Sequence, residues 1–206
     1  MIRIYVLRTE VNTISASELP FGDAERERIE SIKNNARRAE SIGGLTALWC
    51  LLEHQGVSLP RTVLRDQNGK PYIGDGAELP FSISHSNGIC AAALGDADSG
   101  ELGLDIEVIH DRPDAMRIAD RFFSADERRE LEMNGHTSEA FYSIWTAKEA
   151  KAKLDGKGLS ACLSNDTDTG VFVAKLTLNI QEKKVALALA CRDPDQNIQI
   201  FTDTEE

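Results

Sequence analysis

The segment GELGLDIEVI, residues 100–109, decides how the fold is predicted. If it is a β-strand, side chains alternate between two faces. One face is wholly apolar and consists of Leu102, Leu104, Ile106 and Val108. The other face carries Gly103, Asp105 and Glu107, and the two acidic residues have Cα atoms about 6–7 Å apart. At an effective dielectric constant near 20, their charges repel by roughly 2.5 kcal/mol. A divalent cation such as Mg²⁺ would offset that repulsion, whereas a solvated strand face is the simpler alternative.

Composition narrows the class of protein. The chain has 206 residues, 41% hydrophobic and 28% charged, which is typical of a soluble globular protein. Its net charge of −11 argues against nucleic-acid binding. We expect no membrane span, because no apolar run approaches roughly 18 residues, and no signal peptide at the start MIRIYVLRTE. Four well-separated cysteines indicate reduced thiols and a cytoplasmic protein.

The chain on either side of this segment predicts an α+β fold. Upstream lie the strand IRIYVL, a helical stretch over residues 23–56, and the strands PFSIS and GICAAALG around a tip at HSN. Downstream, Ser124 begins a helix with Glu127 in capping-box spacing, and a longer helix is expected over Ser138 to Leu154. Three strands then follow: GVFVAKLTL, KVALALAC and NIQIF. Each half holds helix followed by strands, which suggests two similar lobes that meet near residue 100.

The longer helix offers partners for the two carboxylates. Trp145, Glu149 and Lys153 recur at i, i+4 and i+8 and so lie near one stripe, with Lys148 beside it. A third carboxylate and a lysine on this stripe suit a metal ion and an anionic substrate. An ordinary surface helix with a Glu149–Lys153 pair remains the alternative.

A third group of polar residues suits an anion. Lys70 follows a turn glycine and precedes Pro71, which fixes the local backbone. Ser84 and His85 end a predicted strand, where a hydroxyl and an imidazole could donate to an anion. For His85 alone, a structural role is the default interpretation.

Taken together, these motifs resemble one family. The blocks GKPYI, SISHSNG, LGLDIE and RFFSADE occur in order, followed by WTAKEAKAK, which is similar to a W-x-x-K-E-x-x-x-K signature, and by GKGLS. They extend from about Gly69 to Ser160. The sequence resembles the 4′-phosphopantetheinyl transferases of the larger, surfactin-synthetase-activating type.

The resemblance implies both an activity and an architecture. Members transfer the phosphopantetheine arm of coenzyme A to a serine of an acyl or peptidyl carrier protein and release adenosine 3′,5′-bisphosphate, the holo-[acyl-carrier-protein] synthase reaction. The cofactor would be Mg²⁺, with Mn²⁺ possible. The implied fold is a monomeric pseudo-dimer of two α/β lobes with the active site in the cleft between them. Residues 1–100 would bind the coenzyme A phosphates, and residues 101–206 would carry the metal site and the catalytic helix.

The resemblance also assigns roles to individual residues. The implied metal ligands are Asp105, Glu107 and Glu149, and the catalytic residues are Glu149 and Lys153. The implied contacts to coenzyme A are Arg37, Lys70, Ser84, His85, Lys148 and Lys153. Arg37 is the candidate for the 3′-phosphate, although Glu40 stands where a further basic side chain is expected.

Two other functions fit the same residues. A metal-dependent phosphodiester or pyrophosphate hydrolase also uses clustered carboxylates, but it needs further ligands that the sequence does not obviously supply. A coenzyme A-binding scaffold without catalysis is the second alternative, although the joint presence of Asp105, Glu107, Glu149 and Lys153 argues against it. The carrier and its pathway (fatty acid, polyketide or nonribosomal peptide) stay open. Arg128 and Arg129 are a candidate landing surface for an acidic carrier.

Overall fold

A computed structural model describes residues 1–9, 14–76, 79–156 and 170–203. Its helices are α1 (Asp23–Glu30), α2 (Asn35–His54), α3 (Ala115–Phe122), α4 (Ala125–Met133) and α5 (Ser138–Asp155), with a short 3₁₀ helix at Ala16–Glu18. Its strands are β1 (Ile2–Arg8), β2 (Val63–Arg65), β3 (Pro71–Ile73), β4 (Phe81–Ser86), β5 (Ile89–Gly95), β6 (Gly103–Val108), β7 (Phe172–Ile180), β8 (Lys183–Cys191) and β9 (Ile198–Thr202).

The strands form two main sheets. The first has the order β4-β5-β1-β9, the second β6-β8-β7, and β2 pairs with β3 in a separate hairpin. In the first sheet, β1 is antiparallel to β5 and parallel to β9. The last strand therefore pairs across the boundary that the sequence predicts at residue 100. The division into residues 1–100 and 101–206 stays a prediction.

The two sheets enclose a shared apolar layer. Leu102, Leu104 and Ile106 are at most 1% exposed and lie in this layer, together with the partly buried Val108. Their partners come from strands of both sheets: Ile4, Val6, Ala91, Leu187 and Leu189. Burying a leucine or isoleucine contributes about 1.5–3 kcal/mol, so this layer stabilises the assembly of both halves. The predicted apolar face of β6 is confirmed.

Each sheet carries a helix on its other face. Helix α2 packs Leu45, Leu48 and Leu51 against the first sheet. Helix α5 packs on the second sheet, where β8 presents only small residues: Ala186, Ala188 and Ala190. A Cβ on Gly103 would lie 1.9 Å from the carbonyl oxygen of Ala150. Glycine there lets α5 lie directly on β6.

Local signals agree well with the structure. Ser124 caps α4 with the predicted capping box, in which its hydroxyl accepts from the Glu127 N–H and Glu127 accepts from the Ser124 N–H. Helix α5 begins after Thr137 and ends before Gly156, which has φ of +65°. Strand β4 runs on through His85 and Ser86, so the tip is the Asn87–Gly88 pair and not HSN. Both tip residues have positive φ, as a two-residue hairpin turn of type I′ requires.

The mixed α/β fold is confirmed, and the similarity of two lobes stays a prediction. In the ranges described, no helix combines the length and the apolar character that crossing a bilayer requires. Cys50, Cys90 and Cys191 are free thiols, whereas Cys162 lies outside the described residues.

Candidate active site

Three serines join the two sheets where β4 and β6 lie side by side. We call Ser82, Ser84 and Ser86 the serine seam. Their hydroxyl oxygens accept hydrogen bonds from three backbone N–H groups of β6, at 2.9, 3.3 and 3.3 Å: Leu104, Ile106 and Val108. All three serines are buried, at 4–8% exposure. Serine hydroxyls thus take the place of backbone carbonyls along this edge of β6.

The serine seam also contacts the predicted carboxylates. Ser84 Oγ–H donates to Asp105 Oδ1 at 2.8 Å, and Ser86 Oγ–H donates to Glu107 Oε2 at 2.6 Å. Asp105 is 5% exposed, and Glu107 is partly buried. The face of β6 that carries the acidic pair is therefore not a solvated strand face.

Helix α5 brings a lysine and a third carboxylate to the same place. Lys153 Nζ donates to Asp105 Oδ1 and to Ser84 Oγ, both at 2.8 Å. Glu149 lies one turn earlier on α5. Burial raises the pKa of Glu149 to about 7, and the negative charge of Asp105 adds to that rise. The carboxylate of Glu149 is therefore within electrostatic range of Asp105 and Glu107.

The remaining carboxylate, Glu107, is also hard to ionise. Burial raises its pKa, and the charge of Asp105 raises it further. The hydrogen bond from Ser86 opposes this rise, as do the positive charges of Arg112 and Lys153. When all three carboxylates are ionised, their total charge is −3, and Lys153, which contacts Asp105, offsets only one of these charges, so the cluster favours a further cation.

The donor set fits Mg²⁺, although its ligating geometry is not formed. Asp105 Oδ2 is buried and has no hydrogen-bond partner among the described residues. An unpartnered carboxylate oxygen costs free energy that a hard cation would recover. Among the described residues, no three His, Cys, Asp or Glu side chains surround one point closely enough to ligate a metal ion. Lys153 occupies the other oxygen of Asp105 instead.

A cavity of about 270 Å³ opens beside this cluster. Its lining comes from the turn of the β2–β3 hairpin, from β4 and from α5, and includes Arg65, Lys70, Ser82, Glu149 and Lys153. A larger cavity of about 810 Å³ shares Lys70 and Gly156 with it. An anion in the smaller cavity would lie among residues of both predicted halves.

The predicted lysines occupy three different places. Lys153 lies in the cluster, as described. Lys70 donates to the carbonyl oxygen of Leu154 at 2.9 Å and also contacts Glu101, so it lies at the C-terminal end of α5. Lys148 is buried against α4, where its ammonium group is 3.0 Å from Glu127 Oε2. Lys148 therefore lies outside the carboxylate cluster, and its predicted contact with coenzyme A stays a prediction.

His85 lies on the α2 side of β4 and is paired. Its Nδ1 is 3.2 Å from Glu40 Oε2. Burial lowers the pKa of His85; Glu40 opposes this effect, while Lys153 and Arg37 add to it. Arg37 is therefore close enough to His85 to affect its charge, as a shared anion site would need. The acidic Glu40 noted in the sequence contacts the imidazole directly.

Two features of the site were missed in the sequence. Arg65 lines the smaller cavity and is held by the buried Glu25, with Nη2–Oε1 of 2.7 Å. Arg65 also donates to the carbonyl oxygen of Gly69, which fixes the turn before Lys70. The serine seam was the second feature, although serines at every second position of FSISHS were a visible signal.

Other predicted features lie at the margin of the site or outside the described residues. Trp145 packs against Phe122 and Phe141 in an apolar cluster. Arg128 donates to the carbonyl oxygen of Phe123 at 2.6 Å, and Arg129 pairs with Asp126 at the surface. Of the motif GKGLS, only Gly156 is described, and residues 157–160 lie outside the described ranges.

Comparisons with known proteins show the family of the chain. Residues 101–199, which contain the three carboxylates and Lys153, match the family model of the 4′-phosphopantetheinyl transferase superfamily. The chain is 37% identical over 164 residues to the 4′-phosphopantetheinyl transferase AcpT of Salmonella typhimurium, covering 79% of each chain. It is 34% identical over 160 residues to AcpT of Escherichia coli K12, covering 77% of this chain and 76% of that one.

A third relative matches a shorter part of the chain. The 4′-phosphopantetheinyl transferase psf-1 of Bacillus pumilus is 39% identical over 119 residues, which cover 55% of this chain and 49% of that protein. The chain belongs to the 4′-phosphopantetheinyl transferase superfamily. Its reaction class is phosphopantetheinyl transfer, and the family implies coenzyme A and a carrier protein as partners.

Proposed function

We propose that this protein transfers the 4′-phosphopantetheine group of coenzyme A to a serine of an apo acyl or peptidyl carrier protein and releases adenosine 3′,5′-bisphosphate. The observation that supports the proposal is that Asp105 contacts Lys153, within electrostatic range of Glu107 and Glu149, next to a cavity that Lys70 and Arg65 also line. Acidic and basic groups are thus arranged around a space where a diphosphate can lie.

Asp105, Glu107 and Glu149 are the residues that would hold Mg²⁺. When bound, the ion would neutralise charge on the diphosphate as the serine oxygen attacks the β-phosphorus. With three carboxylates, one Mg²⁺ and a diphosphate of about −2, the site carries roughly −3 before its lysines are counted. Lys153 would have to leave the Asp105 oxygen that it contacts in this structure and move onto the phosphates.

The side chains also suggest how a proton moves. In the metal-free protein, burial raises the pKa of Glu149 to about 7, so its carboxylate is a stronger base there than an ordinary glutamate. We propose that Glu149, or a water molecule that it orients, accepts the proton of the carrier serine. Lys153 and Lys70 would stabilise the charge of the departing nucleotide.

Arg37 and His85, which lie within electrostatic range of each other, are the proposed contacts to the 3′-phosphate. Ser84 would contribute through Lys153 and Asp105, which its hydroxyl contacts. We further propose that the chain acts as a monomer, with its site between residues 1–100 and 101–206, and in the cytoplasm.

Mass spectrometry of apo carrier proteins incubated with the enzyme, coenzyme A and Mg²⁺ tests the proposal. The expected result is a gain of one phosphopantetheine on a serine. Asp105→Asn should lower the transfer rate roughly 100-fold or more, because the anionic anchor is lost. The exposed Asp98→Asn is the matched control and should leave the rate unchanged. Hydrolysis of coenzyme A at the same rate without a carrier would favour the hydrolase alternative instead.

A further inference from the structure

The serine seam repeats one hydrogen-bond unit twice. In each unit, a hydroxyl oxygen accepts the N–H of one β6 residue and donates its proton to the carboxylate of the residue before it. Ser84 joins Ile106 N to Asp105, and Ser86 joins Val108 N to Glu107. A serine hydroxyl has one proton to donate. Because its oxygen accepts the backbone N–H on one side, the hydroxyl proton points to the other side, toward the carboxylate.

The two units differ in how their carboxylate is held. Asp105 has a second anchor in Lys153, which contacts the same Oδ1 atom. For Glu107, the side-chain contact found within the described ranges is the short bond from Ser86, at 2.6 Å. Because a glutamate has one more rotatable bond than an aspartate, an unanchored Glu107 would sample more orientations.

Ser82 provides an internal comparison. It accepts the N–H of Leu104 at 2.9 Å, as the other two serines accept theirs. The residue before Leu104 is Gly103, which has no carboxylate. Ser82 therefore joins the two strands through the backbone hydrogen bond but has no carboxylate to orient. A comparison of Ser82 with Ser86 can distinguish the effect of joining the strands from the effect of positioning a carboxylate.

We propose that Ser86 is a positioning residue that orients the Glu107 carboxylate toward Asp105 and Glu149 for binding of a divalent cation. This inference rests on the proposed function, because it assumes that the three carboxylates bind Mg²⁺. Groups that hydrogen-bond a metal ligand typically change metal affinity roughly 10–100-fold when they are removed. Ser86 touches neither reacting atom and acts through Glu107.

Isothermal titration calorimetry of Mg²⁺ into the protein with coenzyme A measures this effect without turnover. Ser86→Ala should raise the Mg²⁺ dissociation constant roughly 10-fold or more. Ser82→Ala loses the same kind of backbone bond, but Ser82 also lines the smaller cavity, so this variant is compared without coenzyme A, where it should change the Mg²⁺ dissociation constant less than about 2-fold. Ser86→Cys keeps the shape of the side chain with a somewhat larger atom but donates weakly, and should resemble Ser86→Ala if the hydrogen bond matters.

Carrier modification assays at increasing Mg²⁺ give a second readout. The Ser86→Ala rate should approach the wild-type rate at saturating Mg²⁺, because the ligand is misoriented and not lost. Equal Mg²⁺ affinity in Ser86→Ala and wild type, or an equal loss in Ser82→Ala, would overturn the positioning role. If Ser86→Ala does not fold, the same comparison is made with Ser86→Cys. Wild-type protein that binds no Mg²⁺ would overturn the metal part of the proposed function, and this inference with it.

Discussion

Replacing Glu149 by glutamine should stabilise the metal-free protein at alkaline pH. In the folded chain, burial and the charge of Asp105 raise the Glu149 pKa from 4.5 to about 7. The unfolded chain therefore ionises this group at lower pH than the folded chain does. Wild-type stability is lost as pH rises between about 4.5 and 7, and the loss is complete above that window. Glutamine keeps the shape of the side chain and removes the titration.

The expected gain follows from the size of the pKa change. A rise from 4.5 to about 7 corresponds to roughly 3 kcal/mol at most. Glu149 is only partly buried, so solvent screening reduces that value, and the amide of glutamine must also be desolvated. We expect Glu149→Gln to raise the free energy of unfolding by about 1–2 kcal/mol at pH 8. Near pH 4.5 the gain should be close to zero.

Urea unfolding of both proteins in EDTA, between pH 4.5 and 8.5, measures the difference. Glu132→Gln, at an exposed position of α4, serves as the control and should shift stability by the same small amount at every pH. A Glu149→Gln gain that does not depend on pH would refute the reasoning, and so would a loss at pH 8. Either result would mean that the carboxylate is ionised without cost, in contact with a cation or with water.

Three further substitutions test how the site is held together. Gly103→Ala places a Cβ 1.9 Å from a backbone oxygen of α5 and should lower the free energy of unfolding in urea by about 1–3 kcal/mol. Transfer activity should fall at least about 10-fold, because α5 is displaced. Unchanged activity would contradict the close packing. Lys153→Met should lower the transfer rate roughly 100–1000-fold at constant fold by circular dichroism, whereas Lys151→Met, on another side of α5, should stay near wild type. Similar losses of transfer rate in both variants would mean that disturbance of α5, and not loss of the Lys153 ammonium group, causes the effect. Glu25→Ala leaves Arg28 and Arg65 without their buried carboxylate and should destabilise the protein by about 2–3 kcal/mol. The exposed Asp23→Ala is the control and should cost less than about 0.5 kcal/mol. Equal effects would show that the ion pairs of Glu25 contribute little to stability.

The sequence predicted the local elements well because their signals are local. The alternation in GLDIEV, the capping box at Ser124 and the spacing of Glu149 and Lys153 each specify a face or an end of one element. The structure confirms these elements and brings Glu149 near the acidic pair. What they bind stays a prediction.

Pairings between distant segments were not predictable in the same way. No periodicity in NIQIF indicates that β9 lies parallel to β1. The pairing of His85 with Glu40 and of Arg65 with Glu25 depends on how α1 and α2 pack, which single elements do not encode. The serine seam was predictable in part. The sequence of β4 shows serines at every second position, but it does not show which strand they contact.

The parallel pairing of β9 with β1 has a consequence for synthesis on the ribosome. Ile2 is synthesised well before its partner Ile198, because almost the whole described chain separates the two strands. One edge of β1 therefore stays without this partner while the residues between them are translated, and closing so long a loop slows the pairing. The first sheet gains β9 only after the intervening strands and helices have been made, so the nascent chain depends on other contacts to protect that edge from neighbouring polypeptides.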